Sequence, residues 1–145
     1  EGCSSSCSFC VCRVARGSLI SYQPEKIVDA VRIAVKNGAK EIVLVGDDVA
    51  AYHHDGFSLP SLMRKICTIS GDFKIKLGYM NPSSVIKIVD DLVSALSHPK
   101  VYRYIHLNLQ SASNSVLKKM KRRARAPDSR RRIEDEAIYQ HKIEN

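Results

Sequence analysis

The chain has 145 residues, 44% hydrophobic and 26% charged, with sparse aromatics and no Trp, which suits one globular domain. No stretch approaches the ~20 apolar residues needed to cross a bilayer, and no basic-then-apolar secretory start is present, so a spanning helix or signal segment within these residues is excluded. The formal charge is +8, and +5 of it falls in residues 118–145, where ten Lys or Arg stand against five Asp or Glu.

Glu1-Gly2-Cys3 opens directly on a motif, so the front edge of the chain is expected to be a cut. Four of the five cysteines, Cys3, Cys7, Cys10 and Cys12, lie within the first twelve residues. A disulfide scaffold spreads its thiols to staple distant segments. Clustered thiols without an export signal point instead to a metal site in a reducing, cytoplasmic setting. Cys3, Cys7 and Cys10 make C-x3-C-x2-C. Structural zinc usually takes two separated ligand pairs, and a second pair is missing unless His53 and His54 supply it. Three thiolates on a tight loop match a 4Fe–4S cluster with one iron left open. Zinc and bare thiols are the alternatives. Cys12 reads as a small side chain filling a gap.

"RVARGSLISYQ" reads as a loop. "PEKIVDAVRIAVKNGAK" reads as a helix, with Pro24 and Glu25 in its first turn, Ile27, Val31, Ala34 and Val35 on one face, and Gly38 as its stop. "EIVLVG" is a buried strand of the parallel kind, "DDVAAYHHDG" a loop, and "SLPSLMRKICTI" a second helix with Cys67 in the core. "FKIKLGY" is a second strand. "NPSSVIKIVDDLVSALSH" is one long helix capped by Asn81, with Val85, Ile88, Val89, Leu92 and Leu96 on one face. "VYRYIHLNLQ" is a third strand, and "SNSVLKKMKR" a fourth helix capped by Ser113.

Strands alternating with helices predict a parallel α/β sheet with right-handed crossovers. Ligands in such sheets sit at the carboxyl ends of the strands, here Gly46-Asp47-Asp48, Tyr79-Met80-Asn81 and Leu109-Gln110-Ser111. The alternation also predicts a strand just before Gly2. The run "KKMKRRARAPDSRRR" favours an anionic polymer by counterion release; the other reading is a solvated tail, helical or disordered. The expected division is 1–121 for the α/β unit and 122–145 for the tail.

The motif C-x3-C-x-Φ-C, with aromatic Phe9, resembles the radical S-adenosylmethionine (radical SAM) superfamily. "GCSSSCSFCVCRVARGSLISY", "EIVLVGDDVAAY", "LGYMNPSSV" and "HPKVYRYIHLNLQSASNSVLKKMKR" resemble consecutive blocks of the tRNA methylthiotransferases, nearest the archaeal and eukaryotic branch acting on N6-threonylcarbamoyladenosine. The resemblance implies a partial (β/α) radical SAM barrel, truncated at both ends. It implies a 4Fe–4S cluster and S-adenosylmethionine as cofactors, tRNA as substrate, an electron donor of reductase, flavodoxin or ferredoxin type, and methylthiolation at C2 of the modified adenosine beside the anticodon. Flanking domains, one with a second cluster and one binding RNA, would be needed for the whole reaction. A non-catalytic, metal-stabilised RNA-binding module and an inactive truncated copy are the alternatives.

By the same resemblance Cys3, Cys7 and Cys10 are the cluster ligands and Phe9 lies against the adenine of the cofactor. Arg16 offers a charged donor near the cluster or the cofactor carboxylate. Asp48 stands near cofactor or substrate, Asn81 caps a helix, and Gln110 with Ser111 faces ligand at a strand end. The chain departs from the family pattern at Asn108, Leu109 and Asn114, and in the loop "YHHDG".

Overall fold

The computed structural model describes residues 1–122, so the expectation for the basic tail lies outside the described residues except at Arg122. The cysteine loop runs into α1 (Cys12–Arg16), a five-residue helix where a loop was expected. Gly17 ends it at φ +79°, a conformation open to glycine without steric cost. Helix α2 (Pro24–Lys36) begins on Pro24 as its sequence predicts. It buries Val28 and Val31 most deeply, with Ile27 and Val35 at the margins of the core.

Strand β1 (Glu41–Leu44) follows. The stretch expected to be a plain loop contains a 3-10 turn at Val49–Ala51 and a small hairpin, β2 (His53–His54) with β3 (Phe57–Ser58). Asp55 and Gly56 both adopt positive φ between them, the two-residue turn that an Asp-Gly pair favours. Helix α3 (Leu59–Cys67) buries Leu59, Leu62, Met63 and Ile66. Cys67 is buried as expected, and burial pushes its thiol above the usual range.

Strand β4 (Lys74–Leu77) pairs in parallel with β1, Ile42 opposite Ile75 and Leu44 opposite Leu77. After Gly78 it continues as β5 (Tyr79–Met80). The long helix expected next is broken into α4 (Pro82–Val85) and α5 (Val89–Leu96). Between them Lys87 and Ile88 donate to the carbonyls three residues back, Ser84 and Val85. The break falls in a β-branched run, Val85, Ile86, Ile88 and Val89, a residue type that lowers helix propensity slightly.

The third strand is shorter than expected. Val101 bridges Ile75 in parallel, and β6 (His106–Leu107) pairs in parallel with β5, His106 opposite Tyr79. Four residue steps along β4–β5, from 75 to 79, thus face five along the third strand, from 101 to 106. The extra residue is a bulge, closed by the Tyr104 N–H to Tyr102 carbonyl bond of 2.8 Å, and it interrupts the ladder. Helix α6 (Asn114–Lys119) ends the described chain.

The fold is therefore α/β with three parallel strand paths in the order β1, β4–β5, β6. α2 packs on α3 and α3 on α5, and this layer covers the sheet face carrying Ile75 and Leu77. Met63, Ile66, Ile75, Met80 and Val85 are wholly enclosed there. At ~25 cal/mol per Å2 of apolar surface, each such side chain contributes roughly 1.5–3 kcal/mol of transfer free energy. The other sheet face is open, with Val43, Val45, Tyr79 and Tyr104 exposed. The described residues form an open sheet, and closure into a barrel is not seen among them.

One buried carboxylate ties the strand ends together. Asp48, just past β1, is 4% exposed. Its Oδ1 accepts from the Asn81 backbone N–H at 3.0 Å and its Oδ2 from the Ser84 hydroxyl at 2.7 Å. Burial raises its pKa above the ordinary value of 3.8, and the bonds from Asn81 and Ser84 oppose that rise. Replacing Asp48 with Asn is expected to cost about 1–3 kcal/mol, because one amide oxygen cannot serve both donors. The raised pKa means that the unfolded chain ionises first. This carboxyl's contribution is full below the ordinary value and declines as pH rises through the folded value. The stability gap between wild type and Asp48→Asn is therefore expected to narrow from acid towards neutral pH in denaturant titrations. A gap that widened would contradict the desolvated carboxyl.

Candidate metal centre at the strand ends

The cysteine loop lies across the carboxyl edge of the sheet, where the alternating pattern places ligands. Its first residues are clasped by the segment after α1. Ile20 N–H donates to the Glu1 carbonyl at 2.8 Å, and Cys3 N–H to the Gly17 carbonyl at 3.4 Å. Gly2 sits at φ +74°, and a Cβ there would stand 2.3 Å from the Ser18 carbonyl oxygen, so a side chain would displace the loop.

Two strand ends and the end of α6 then hold the loop at different residues. After β1, the Asp47 carboxylate accepts the Gly2 N–H at 3.1 Å. After β5, Asn81 caps α4 by accepting the Ser83 N–H at 3.2 Å, as expected. It also donates its amide to the Ser5 hydroxyl at 3.0 Å. After the third strand, Ser8 N–H donates to the Met120 carbonyl at 3.1 Å and Ser8 Oγ to the Lys119 carbonyl at 3.0 Å. The last two carbonyls of a helix lack intrahelical donors, and the cysteine loop supplies them.

The three motif thiols stand along this loop, Cys3 and Cys7 half-buried and Cys10 exposed. Each sulfur accepts one N–H: Cys3 from Ser5 at 3.4 Å, Cys10 from Cys12 at 3.5 Å, and Cys7 from the Arg122 guanidinium at 3.6 Å. N–H groups aimed at sulfur stabilise the anionic form that binds iron. The Cys12 thiol hydrogen-bonds to Cys10, which raises it above the ordinary thiol range. Among the described residues no three His, Cys, Asp or Glu side chains converge as ligands of one ion would. His54 instead faces the Ser21 carbonyl and Asp55. Thiols spaced along one loop fit the separate irons of a cluster, and the donor set is all-sulfur as such a cluster requires.

Around the thiols, Phe9 is 52% exposed beside Cys10. Arg16 pairs with Asp47 at 3.8 Å and lines, with Gly2, Cys12 and Asp48, a groove of about 1190 Å3 running along β1. Asp48 lines this groove while each of its oxygens accepts a hydrogen bond from inside the chain. Gln110 is exposed at φ +70°, a left-handed conformation uncommon outside glycine. Ser111 accepts the Ser113 N–H at 3.1 Å and starts the turn into α6. Ser113, the expected cap, makes no side-chain cap bond. Asp47, Ser5, Ser8 and Arg122 are the site residues the sequence reading did not single out. Asp47 carried a signal, its place in a strand-end Gly-Asp-Asp; the others depend on partners up to 115 residues away.

Comparison with known proteins bears on this loop. The sequence profile described as the radical SAM superfamily matches residues 1–137. The chain is 46% identical over 123 residues to the probable threonylcarbamoyladenosine tRNA methylthiotransferase of Pyrococcus horikoshii, covering 84% of this chain and 29% of that protein. It is 35% identical over 135 residues to the threonylcarbamoyladenosine tRNA methylthiotransferase of Homo sapiens, covering 92% and 23%. Against that of Caenorhabditis elegans it is 37% identical over 141 residues, covering 95% and 32%. The chain thus spans less than a third of the length of these curated relatives. With a superfamily profile over most of its length and an all-thiol loop at the strand ends, the chain belongs to the radical SAM superfamily, whose cofactors are a 4Fe–4S cluster and S-adenosylmethionine.

Proposed function

We propose that this chain is the cluster-bearing part of a tRNA methylthiotransferase that acts on N6-threonylcarbamoyladenosine beside the anticodon. The observation that carries the reading is the set of three sulfurs, Cys3, Cys7 and Cys10, each receiving an N–H on a loop fixed to two strand ends and the end of α6. The archaeal and eukaryotic relatives supply the substrate by name.

In this reading Cys3, Cys7 and Cys10 hold the cluster. When bound, it supplies the electron that cleaves S-adenosylmethionine reductively, and the protein positions the reactants. Gly2 lets the loop pass close to the Ser18 carbonyl, and Asp47 and Asn81 fix its height above the sheet. Phe9 offers an apolar face beside Cys10 for the cofactor's adenine. Arg16, already paired with Asp47, offers its remaining donors to a carboxylate. Gln110 and Ser111 present polar groups at the third strand end.

The substrate is RNA, the electron donor is a reductase, flavodoxin or ferredoxin, and the setting is cytoplasmic. Among the described residues no helix is long and apolar enough to cross a membrane. Further strands would close the open sheet face into a barrel, and further domains would complete methylthiolation.

Two measurements test this reading. Cys7→Ser, reconstituted anaerobically with iron and sulfide, is expected to lose the broad visible absorbance of the cluster and to fall from about four irons per chain to below one. Full iron content in that variant removes Cys7 from the ligand set. Replacing Arg130, Arg131 and Arg132 together with Ala is expected to reduce the slope of log affinity for tRNA against log salt by about 0.7–0.9 for each lost phosphate contact. An unaltered slope takes the tail out of the RNA interface.

A further inference from the structure

The three thiols are not equivalent. Cys3 and Cys10 accept backbone N–H groups, whereas Cys7 accepts from a guanidinium. Arg122 reaches Cys7 because of how α6 ends. Lys121 N–H donates to the Lys118 carbonyl at 3.0 Å and Arg122 N–H to the Leu117 carbonyl at 2.9 Å, with Lys121 at φ +55°. This paired closure reverses the chain and usually places glycine where Lys121 stands. A lysine there is crowded, and the crowding is held by the fold around it. The reversed chain turns Arg122 back onto the loop. One nitrogen donates to the Asn108 carbonyl and the other lies 3.6 Å from Cys7 Sγ. The two Ser8 bonds to the end of α6 fix the loop residue next to Cys7.

We propose that Arg122 is a positioning residue that raises the reduction potential of the cluster through Cys7. The inference rests on Cys7 being a ligand. One electron from an external reductant adds negative charge to the cluster and its thiolates. A fixed cation hydrogen-bonded to one of those sulfurs stabilises the reduced form over the oxidised one. An arginine suits the task because it keeps its charge at working pH and its planar fork bridges two acceptors.

The test is an anaerobic redox titration of the reconstituted chain with dithionite, following the reduced cluster by electron paramagnetic resonance. Arg122→Gln is expected to lower the reduced-to-oxidised ratio at the wild-type midpoint about tenfold, a shift of about 59 mV for one electron. Arg122→Lys, which keeps the charge but loses the fork, is expected to fall between. A purely structural role predicts lower iron occupancy with an unmoved midpoint in the loaded fraction. An Arg122→Gln chain with the wild-type midpoint, or one that takes up no cluster while Arg122→Lys does so at the wild-type midpoint, overturns the assignment. A wild-type chain that takes up no iron overturns the ligand reading beneath it.

Discussion

The buried carboxylate of Asp48 is the constraint on which the site depends. An ionisable group almost enclosed by protein is costly to desolvate unless donors meet it, and here the donors are the Asn81 backbone and the Ser84 hydroxyl. The carboxylate thereby links the end of β1 to the start of α4. Asn81 is fixed in turn, and its amide reaches up to Ser5 in the cysteine loop. A polar chain of three links thus runs from beneath the sheet edge to the thiols. Losing the lowest link would loosen the highest.

Much of the scaffold was legible because its signals are local. Pro24 opens α2, the alternation of Lys74, Ile75, Lys76 and Leu77 marks a strand with one covered face, and the Asn81 cap is a short-range bond. The parallel pairing of β1 with β4 follows from the intervening helix. The differences are of two kinds. Some have a local signal, as Asp55-Gly56 has for the small hairpin. Others are not local. The bulge in the third strand depends on how two strands register, and no single segment records that count.

The site divides the same way. The spacing of Cys3, Cys7 and Cys10 is a property of eleven residues and can be read directly. What the loop rests on cannot be. Arg122 and the Lys119 and Met120 carbonyls belong to it because the fold carries them there, and in isolation they read as an ordinary helix end; of the supports, Asp47 alone is marked by its place at a strand end. Asp48 shows the converse. Its position was legible, and its partners turn out to lie within the chain, which makes it a support for the groove beside it.

The anchoring of Ser8 and Cys7 by residues 119–122 has a consequence for biosynthesis. The bonds that seat the thiols join residues 111 and 115 positions apart. A ribosome therefore exports every thiol of the motif long before the helix end that steadies them. During that interval the loop is tethered at most by nearer partners, and its thiols are open to stray metals and oxidants. Long-range closure of this kind is slow, since the chain entropy of a large loop must be overcome before the contact forms. The seating of the motif loop is thereby completed only after the last turn of α6 has been made, not when the motif itself is.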